Sequence, residues 1–366
     1  MTVQSKRTLK IEKLARIYDD EIAPVWGTRF GKMLLRNLAV PHKGQVLDIS
    51  CGTGYPTTEI LRRMGDGSRL IAIDASSAML DVARRKVADL GPLGKRGVFF
   101  RTESALPKLS FADEVYDLVV CNLGLGEMPS LEIALGDFAR VAKVGGEVRC
   151  TLPLAGSFQE FHDLYREVLI KHDKHEALER LERHIARYPS VEHVDQCMAS
   201  ANLAGGLESE EFSLLFKSSR EFFFAPVIEY GPLAEWKEIA GGGQEMQDVF
   251  WYIKEAIDAY FDCRPFQVTV KAGCLIGRRR EPGALDPAPL PQVEDTSPFP
   301  RAQPRLSARP RKMASGSVRV ADPDEVDLDE LDVLDDFSDY ELDEPSSAEQ
   351  QLDAFIEGKK RPPHLE

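Results

Sequence analysis

Along the first 280 positions, short continuous apolar runs alternate with stretches in which apolar residues return every three or four positions. A run that is apolar at successive residues suits a strand buried on both faces, and the three-to-four spacing suits an amphipathic helix. The runs centre on Val46–Ile49, Arg69–Asp74, Gly97–Arg101, Val115–Asn122 and 147–153. Helical spacing is predicted over 57–64, 77–90 and 130–143, and over 8–38 ahead of the first run, where Leu9, Ile11, Leu14 and Ile17 precede the cluster Met33, Leu34, Leu35 and Leu38. Strands that alternate with helices predict βαβ units and a parallel sheet.

After position 155 the rhythm changes. Phe158, Phe161, Leu164, Tyr165, Val168 and Leu169 predict an amphipathic helix, followed by a charged helix over 174–187 and another over 194–205. Two further strands are expected at 210–216 and 266–276, separated by an aromatic-rich insert over 218–262. The density of rings in that insert, among them Phe222, Phe223, Trp236 and Phe250, suits either an apolar substrate pocket or helices packed on the sheet.

Composition divides the chain once more. Residues 281–366 hold 21 acidic and 9 basic residues, a net of −12, which leaves 39 acidic and 37 basic residues, a net of −2, for residues 1–280. A nearly neutral body offers no electrostatic footprint for a phosphate backbone, so nucleic acid is not expected as substrate. The tail is first proline-rich and then acidic from Asp322 to Glu344, a composition with little apolar area to offset chain entropy, and disorder is expected there. Within it Leu328, Leu331, Leu334, Phe337 and Tyr340, then Leu352, Phe355 and Ile356, could also form short helices that dock on a protein partner. The six cysteines are scattered, without a Cys-x-x-Cys pair. Reduced thiols in a soluble cytoplasmic protein are expected, with no metal site and no membrane segment.

The stretch that carries chemistry is Gln45–Ile60, QVLDISCGTGYPTTEI. A strand runs into a turn of small residues, Ser50-Cys51-Gly52-Thr53-Gly54, and then into a helix whose first turn tolerates Pro56. Glycine permits a sharp bend and the close approach of a ligand, and the helix N-terminus turns free N–H groups toward it. Asp74 closes the next strand 20 residues beyond Gly54. A carboxylate at that place accepts ribose hydroxyls, as in sites for dinucleotides or for S-adenosylmethionine (SAM).

Val46-Leu47-Asp48-Ile49-Ser50-Cys51-Gly52-Thr53-Gly54 resembles the first motif of class I SAM-dependent methyltransferases, and Ile73-Asp74-Ala75-Ser76-Ser77-Ala78-Met79-Leu80 resembles the second. Thr57 stands where a dinucleotide binder carries its third glycine, and Ser50 where the methyltransferases most often carry their first. Val144-Gly145-Gly146 is similar to the family's Pro-Gly-Gly turn. The resemblance covers roughly 15–155 and 200–280. It implies a Rossmann-like, doubly wound α/β sheet of seven strands, the last antiparallel, over residues 1–280, with helical lid insertions at about 156–190 and 218–262.

The same resemblance implies a site. Asp74 would take the ribose hydroxyls, the turn through Ser50, Gly52 and Gly54 the methionine-ribose end, and the backbone around Asn122 the ammonium group, with Asp48 orienting the loop and linked to the ammonium indirectly. Ala75 and Met79 would flank the adenine, whose edge would meet Glu103 or Ser104. Tyr18 would close over the cofactor or sit at the edge of a helix–core contact. SAM's electrophilic methyl needs no base, so the candidates for one, His162 and Glu127, are secondary. The expected activity is methyl transfer to a small-molecule or acyl-type acceptor. The alternatives are a methyltransferase-like interaction protein that docks through its tail, and a protein methyltransferase.

Overall fold

Seven strands carry the frame of the computed structural model, which describes residues 3–95, 97–261 and 264–281. They are β1 Lys43–Ile49, β2 Gly67–Asp74, β3 Val98–Thr102, β4 Tyr116–Asn122, β5 Ala142–Pro153, β6 Leu203–Phe216 and β7 Phe266–Arg279, in the spatial order β3-β2-β1-β4-β5-β7-β6. β7 alone runs against the others, antiparallel to both β5 and β6. The doubly wound sheet with its last strand reversed is therefore present. β1 pairs with β2 on one side and β4 on the other, so the strand order reverses there and the crevice at the C-terminal ends of β1 and β4 is where such sheets hold ligands.

The helices follow the spacing. They are α1 Val3–Ile17, α2 Thr28–Leu35, α3 Tyr55–Arg63, α4 Ser77–Asp89, α5 Leu131–Val141, α6 Gln159–Lys171, α7 His175–Ile185, α8 Val191–Ser200, α9 Ser219–Phe224, α10 Pro226–Glu229, α11 Leu233–Ala240 and α12 Gly243–Phe261. Serine hydroxyls start four of them: Ser76, Ser130, Ser190 and Ser218 each accept the N–H three residues on, at 3.1 to 3.4 Å. Pro56 lies in the first turn of α3.

Two expectations are corrected. The helical stretch predicted over 8–38 is three pieces, because a π-helix, Tyr18–Gly27, separates α1 from α2. Pro24 inside it has no N–H to give to an α-helical ladder. The helix expected over 194–205 stops at Ser200, and the strand expected at 210–216 begins at Leu203. Fourteen backbone pairs with β7, from Leu203↔Arg279 to Phe216↔Phe266, override the weak local pattern of Gly205, Gly206 and the exposed Glu208–Glu211.

One face of the sheet carries α5 and α8 over β4 and β5, a core that includes Leu135, Phe138, Cys150 and Met198. The insertions cover the other side: α6, α7, α9, α11 and α12 share a single core with Phe216, Phe266, Val268 and Val270 of the sheet. The aromatic insert is thus packed core, with Phe161 stacked on Trp236 at 4.1 Å and Phe222 and Phe250 buried. A buried arginine secures α2 to the sheet. Arg149 of β5 pairs with Glu147 at 2.8 Å and donates to the carbonyls of Leu34 at 3.0 Å and Arg36 at 2.6 Å, which satisfies the open end of α2.

Among the described residues five cysteines, Cys51, Cys121, Cys150, Cys197 and Cys274, are buried and form no disulfide. Cys263 and the tail readings, both disorder and docking helices, lie outside the described residues. Among those residues no helix is long and apolar enough to cross a membrane.

Candidate functional site at the ends of β1 and β4

β1 hands the chain to a turn built on left-handed backbone: φ is +52° at Ser50, +54° at Gly52 and +85° at Gly54. At Gly54 an added Cβ would lie 2.8 Å from the Cβ of Ala83, so glycine here lets α4 close on the turn. Ser50 adopts the same geometry with a side chain, at a cost on the order of 1 kcal/mol. Its Cβ and Oγ fill space that the chain leaves at Gly124, where an added Cβ would come within 2.6 Å of both atoms.

Asp74 faces that turn from the end of β2. The Gly52 N–H donates to its Oδ2 and the Ser76 N–H to its Oδ1, both at 2.8 Å. Each oxygen keeps a second lone pair, so a fixed carboxylate is left with capacity for two hydroxyl donors. Asp48, two residues before the turn, is fully buried and accepts from Thr57 Oγ1 at 2.5 Å, while its Oδ1 has no partner. Burial pushes its pKa up to about 7, against the opposing pull of the Thr57 hydroxyl, and the nearby Asp74 pushes it further the same way. A buried carboxylate with an unused oxygen suits a cationic neighbour.

Asn122, at the end of β4, is committed on both sides. Its Oδ1 accepts from Thr151 Oγ1 at 2.8 Å and its Nδ2 donates to the carbonyl of Gly27 at 3.0 Å. Tyr18 and Gly27 bound the same hollow as Ser50, Gly52 and Asn122, and the Tyr18 ring lies 3.6 Å from where a Gly52 Cβ would be. Lys86 of α4 pairs with Asp19 beside it. Ala23, Cys51, Thr53, Tyr55 and Pro56 complete the lining. The hollow is about 290 Å³ including its open mouth. The π-helix therefore closes the crevice as a cover.

The remaining candidates divide. Met79 is half-buried against Ala15, Ala78 and Val82, and Ala75 is exposed beside Asp74. The Glu103 N–H bonds to the Asp74 carbonyl at 3.0 Å, which sets that loop at the sheet edge beside the site, but its carboxylate turns to Arg101 at 2.8 Å and to the Ser110 N–H at 3.0 Å. The Ser104 hydroxyl accepts from the Leu106 N–H at 3.1 Å within its own loop. His162 does not line the crevice. It is buried on α6 among Phe158, Phe161, His184, Tyr188 and Trp236, with neither ring nitrogen bonded, and burial holds its pKa down at about 3. That imidazole is neutral and has no access to the crevice. The Glu127 side chain lies outside those described. Ala23, Gly27 and Tyr55 escaped the sequence reading: the first two reach the site by a long-range fold-back, and Tyr55 is placed by its contact with Gly31, where a Cβ would fall 2.4 Å from the ring.

The residues fit SAM: a fixed carboxylate faces the turn with lone pairs to spare, glycine backbone allows close approach, and an unused buried carboxylate oxygen stands behind the turn. Comparison with known proteins agrees. Residues 46–146 match the family model described as a methyltransferase domain. A ubiquinone/menaquinone biosynthesis C-methyltransferase of Psychromonas ingrahamii is 32% identical over 174 residues, 45% of this chain and 68% of that protein. A demethylmenaquinone methyltransferase of Staphylococcus aureus is 30% identical over 162 residues, 43% of this chain and 62% of its own length. Among solved structures, the YcgJ protein of Bacillus subtilis overlaps 70% of this chain and 100% of its own at 16% identity and a TM-score of 0.46, a likeness too distant to argue from.

Proposed function

This chain belongs to the class I SAM-dependent methyltransferases, and we propose that it methylates a small apolar acceptor at the mouth of the β1–β4 crevice. The observation that carries this reading is Asp74, held rigid by the N–H groups of Gly52 and Ser76 and facing the left-handed turn. In the bound state Asp74 would accept the ribose hydroxyls, Gly52 and Gly54 would admit the cofactor against their backbone, and Asp48, buried behind the turn, would orient it and act on the ammonium end indirectly. Ala75 and Met79 flank the adenine on one side, with the Glu103–Ser104 loop along its edge. Tyr18 covers the turn and excludes water.

SAM supplies an electrophilic methyl on a sulfonium, so the chain's task is in-line positioning rather than proton abstraction. That suits the lining, where Tyr18, Cys51 and Tyr55 are the ionisable side chains and burial pushes the Cys51 thiol well above its ordinary range. The acceptor must therefore bring its own nucleophilic atom. Next to Gly27 the chain turns apolar: Trp26 packs into an aromatic cluster, its ring 5.9 Å from Phe158 and 6.1 Å from Phe212. The quinone-pathway names of the two relatives point the same way, toward a ring-bearing apolar acceptor. Incubation with SAM labelled in its methyl group and a host extract tests this: label is expected in the organic-extractable small-molecule fraction. Label confined to macromolecules, or none transferred, would contradict it.

A further inference from the structure

The crevice has a cover, and one side chain outside the lining fixes how that cover is fastened. Thr151 sits on β5 directly across from Asn122 of β4, fully buried. The Leu123 N–H donates to its Oγ1 at 3.1 Å, in addition to the backbone bond from the same N–H to the Thr151 carbonyl at 3.1 Å. With one lone pair taken in this way, the hydroxyl proton is directed to Asn122 Oδ1 at 2.8 Å. The Asn122 amide is thereby oriented with its nitrogen outward, where it donates to the Gly27 carbonyl at 3.0 Å. Gly27 is the last residue of the π-helix that covers the crevice. The same hydroxyl also braces Leu123, whose φ of +70° is a strained geometry for leucine.

We propose that Thr151 is a positioning residue for the transfer: through Asn122 it fastens the Tyr18–Gly27 π-helix over the crevice, so that its hydroxyl sets how long the cofactor is retained. The inference rests on the crevice being the SAM site. Two features make the fastening matter. Tyr18, Ala23 and Gly27 of the π-helix line the hollow together with the turn, so the way this segment is held bears on how a cofactor enters and leaves. Arg149 ties the C-terminal end of α2 to β5, while Asn122 holds the π-helix at Gly27 and Lys86 holds it at Asp19.

Thr151→Val keeps the shape and deletes the hydroxyl, whereas Thr151→Ser keeps the hydroxyl. In stopped-flow displacement of S-adenosylhomocysteine, Thr151→Val is expected to raise the dissociation rate about fivefold to tenfold, the equivalent of one hydrogen bond, and to raise KM for SAM in parallel with a smaller change in kcat. Thr151→Ser is expected to stay within about twofold of the parent, as hydroxyl-dependent positioning requires. Amide exchange over 18–27 without cofactor is expected to quicken in Thr151→Val and not in Thr151→Ser. Equal behaviour of the two variants in exchange and dissociation would overturn the proposal. Should the parent protein bind no S-adenosylhomocysteine at all, the functional reading fails, yet the exchange arm still decides whether Thr151 fastens the cover. If Thr151→Val does not fold, Asn122→Ala removes the same fastening from the other end. Unchanged exchange over 18–27 in that variant would equally overturn the proposal.

Discussion

Asp48 is charged only by overcoming burial, and this couples folding, pH and cofactor in one side chain. A free aspartate titrates near 3.8 and Asp48 near 7, so between those values the unfolded chain releases a proton that the folded chain keeps. Stability of the cofactor-free protein therefore falls as pH rises from about 4 to about 7 and stays reduced above that. Asp48→Asn is expected to stabilise the cofactor-free protein at pH 8 by roughly 2 to 4 kcal/mol, the upper figure being the full difference between the two pKa values, and to weaken SAM binding at least tenfold. Chemical denaturation and calorimetry at pH 8 check the two arms. His162 has the opposite sign. Its imidazole is held at about 3 against an ordinary 6.5, so the stability it contributes is complete above pH 6.5 and is lost as pH falls toward 3. The groups around it are His184, Arg166 and Asp163, with His184 bonded to Glu235 at 3.1 Å. His162→Phe is expected to flatten the acid side of the melting-temperature profile between pH 6.5 and 4 by about one proton, while an unchanged profile would mean that other groups govern acid unfolding.

Among the elements, the alternation of β1 to β5 with α3 to α5 was legible because parallel strands buried on both faces write uninterrupted apolar runs. The turn was legible for the same kind of reason: small residues crowded between a strand and a helix mark a tight bend. β6 was read at half its length, since an edge strand with Gly205, Gly206 and Glu208–Glu211 on it is specified by its pairing with β7 rather than by its own pattern. The π-helix was not legible at all. Tyr18, Asp19 and Gly27 are held by Gly52, Lys86 and Asn122, partners that local spacing does not reveal. Arg149 belongs to this scale as well. Replacing it by methionine would leave the Leu34 and Arg36 carbonyls at the end of α2 unsatisfied and Glu147 with Arg278 as its partner, and a loss of about 3 kcal/mol is expected from denaturant unfolding. A loss below about 1 kcal/mol would show that α2 is anchored by its apolar face alone.

Across the whole molecule, a standard sheet is joined to a helical insert that shares its core with β6 and β7. Sequence patterns located the sheet, the reversed strand and the turn after β1, because each is written within a few residues. They left open whether the insert's rings were pocket or core, since an aromatic residue in either place carries the same local signature. Phe161, Phe222 and Trp236, all fully buried, settle it as core.

The central claim is that Asp74 and the Ser50–Gly54 turn hold an adenosyl donor at the sheet's switch point. Titration of S-adenosylhomocysteine into the full chain by calorimetry, beside Asp74→Ala, tests it most directly. Micromolar binding that weakens at least thirtyfold in the variant is predicted, about 2 kcal/mol for two hydroxyl hydrogen bonds to a charged acceptor. Parent binding weaker than millimolar, or binding that Asp74→Ala leaves intact, would contradict the account.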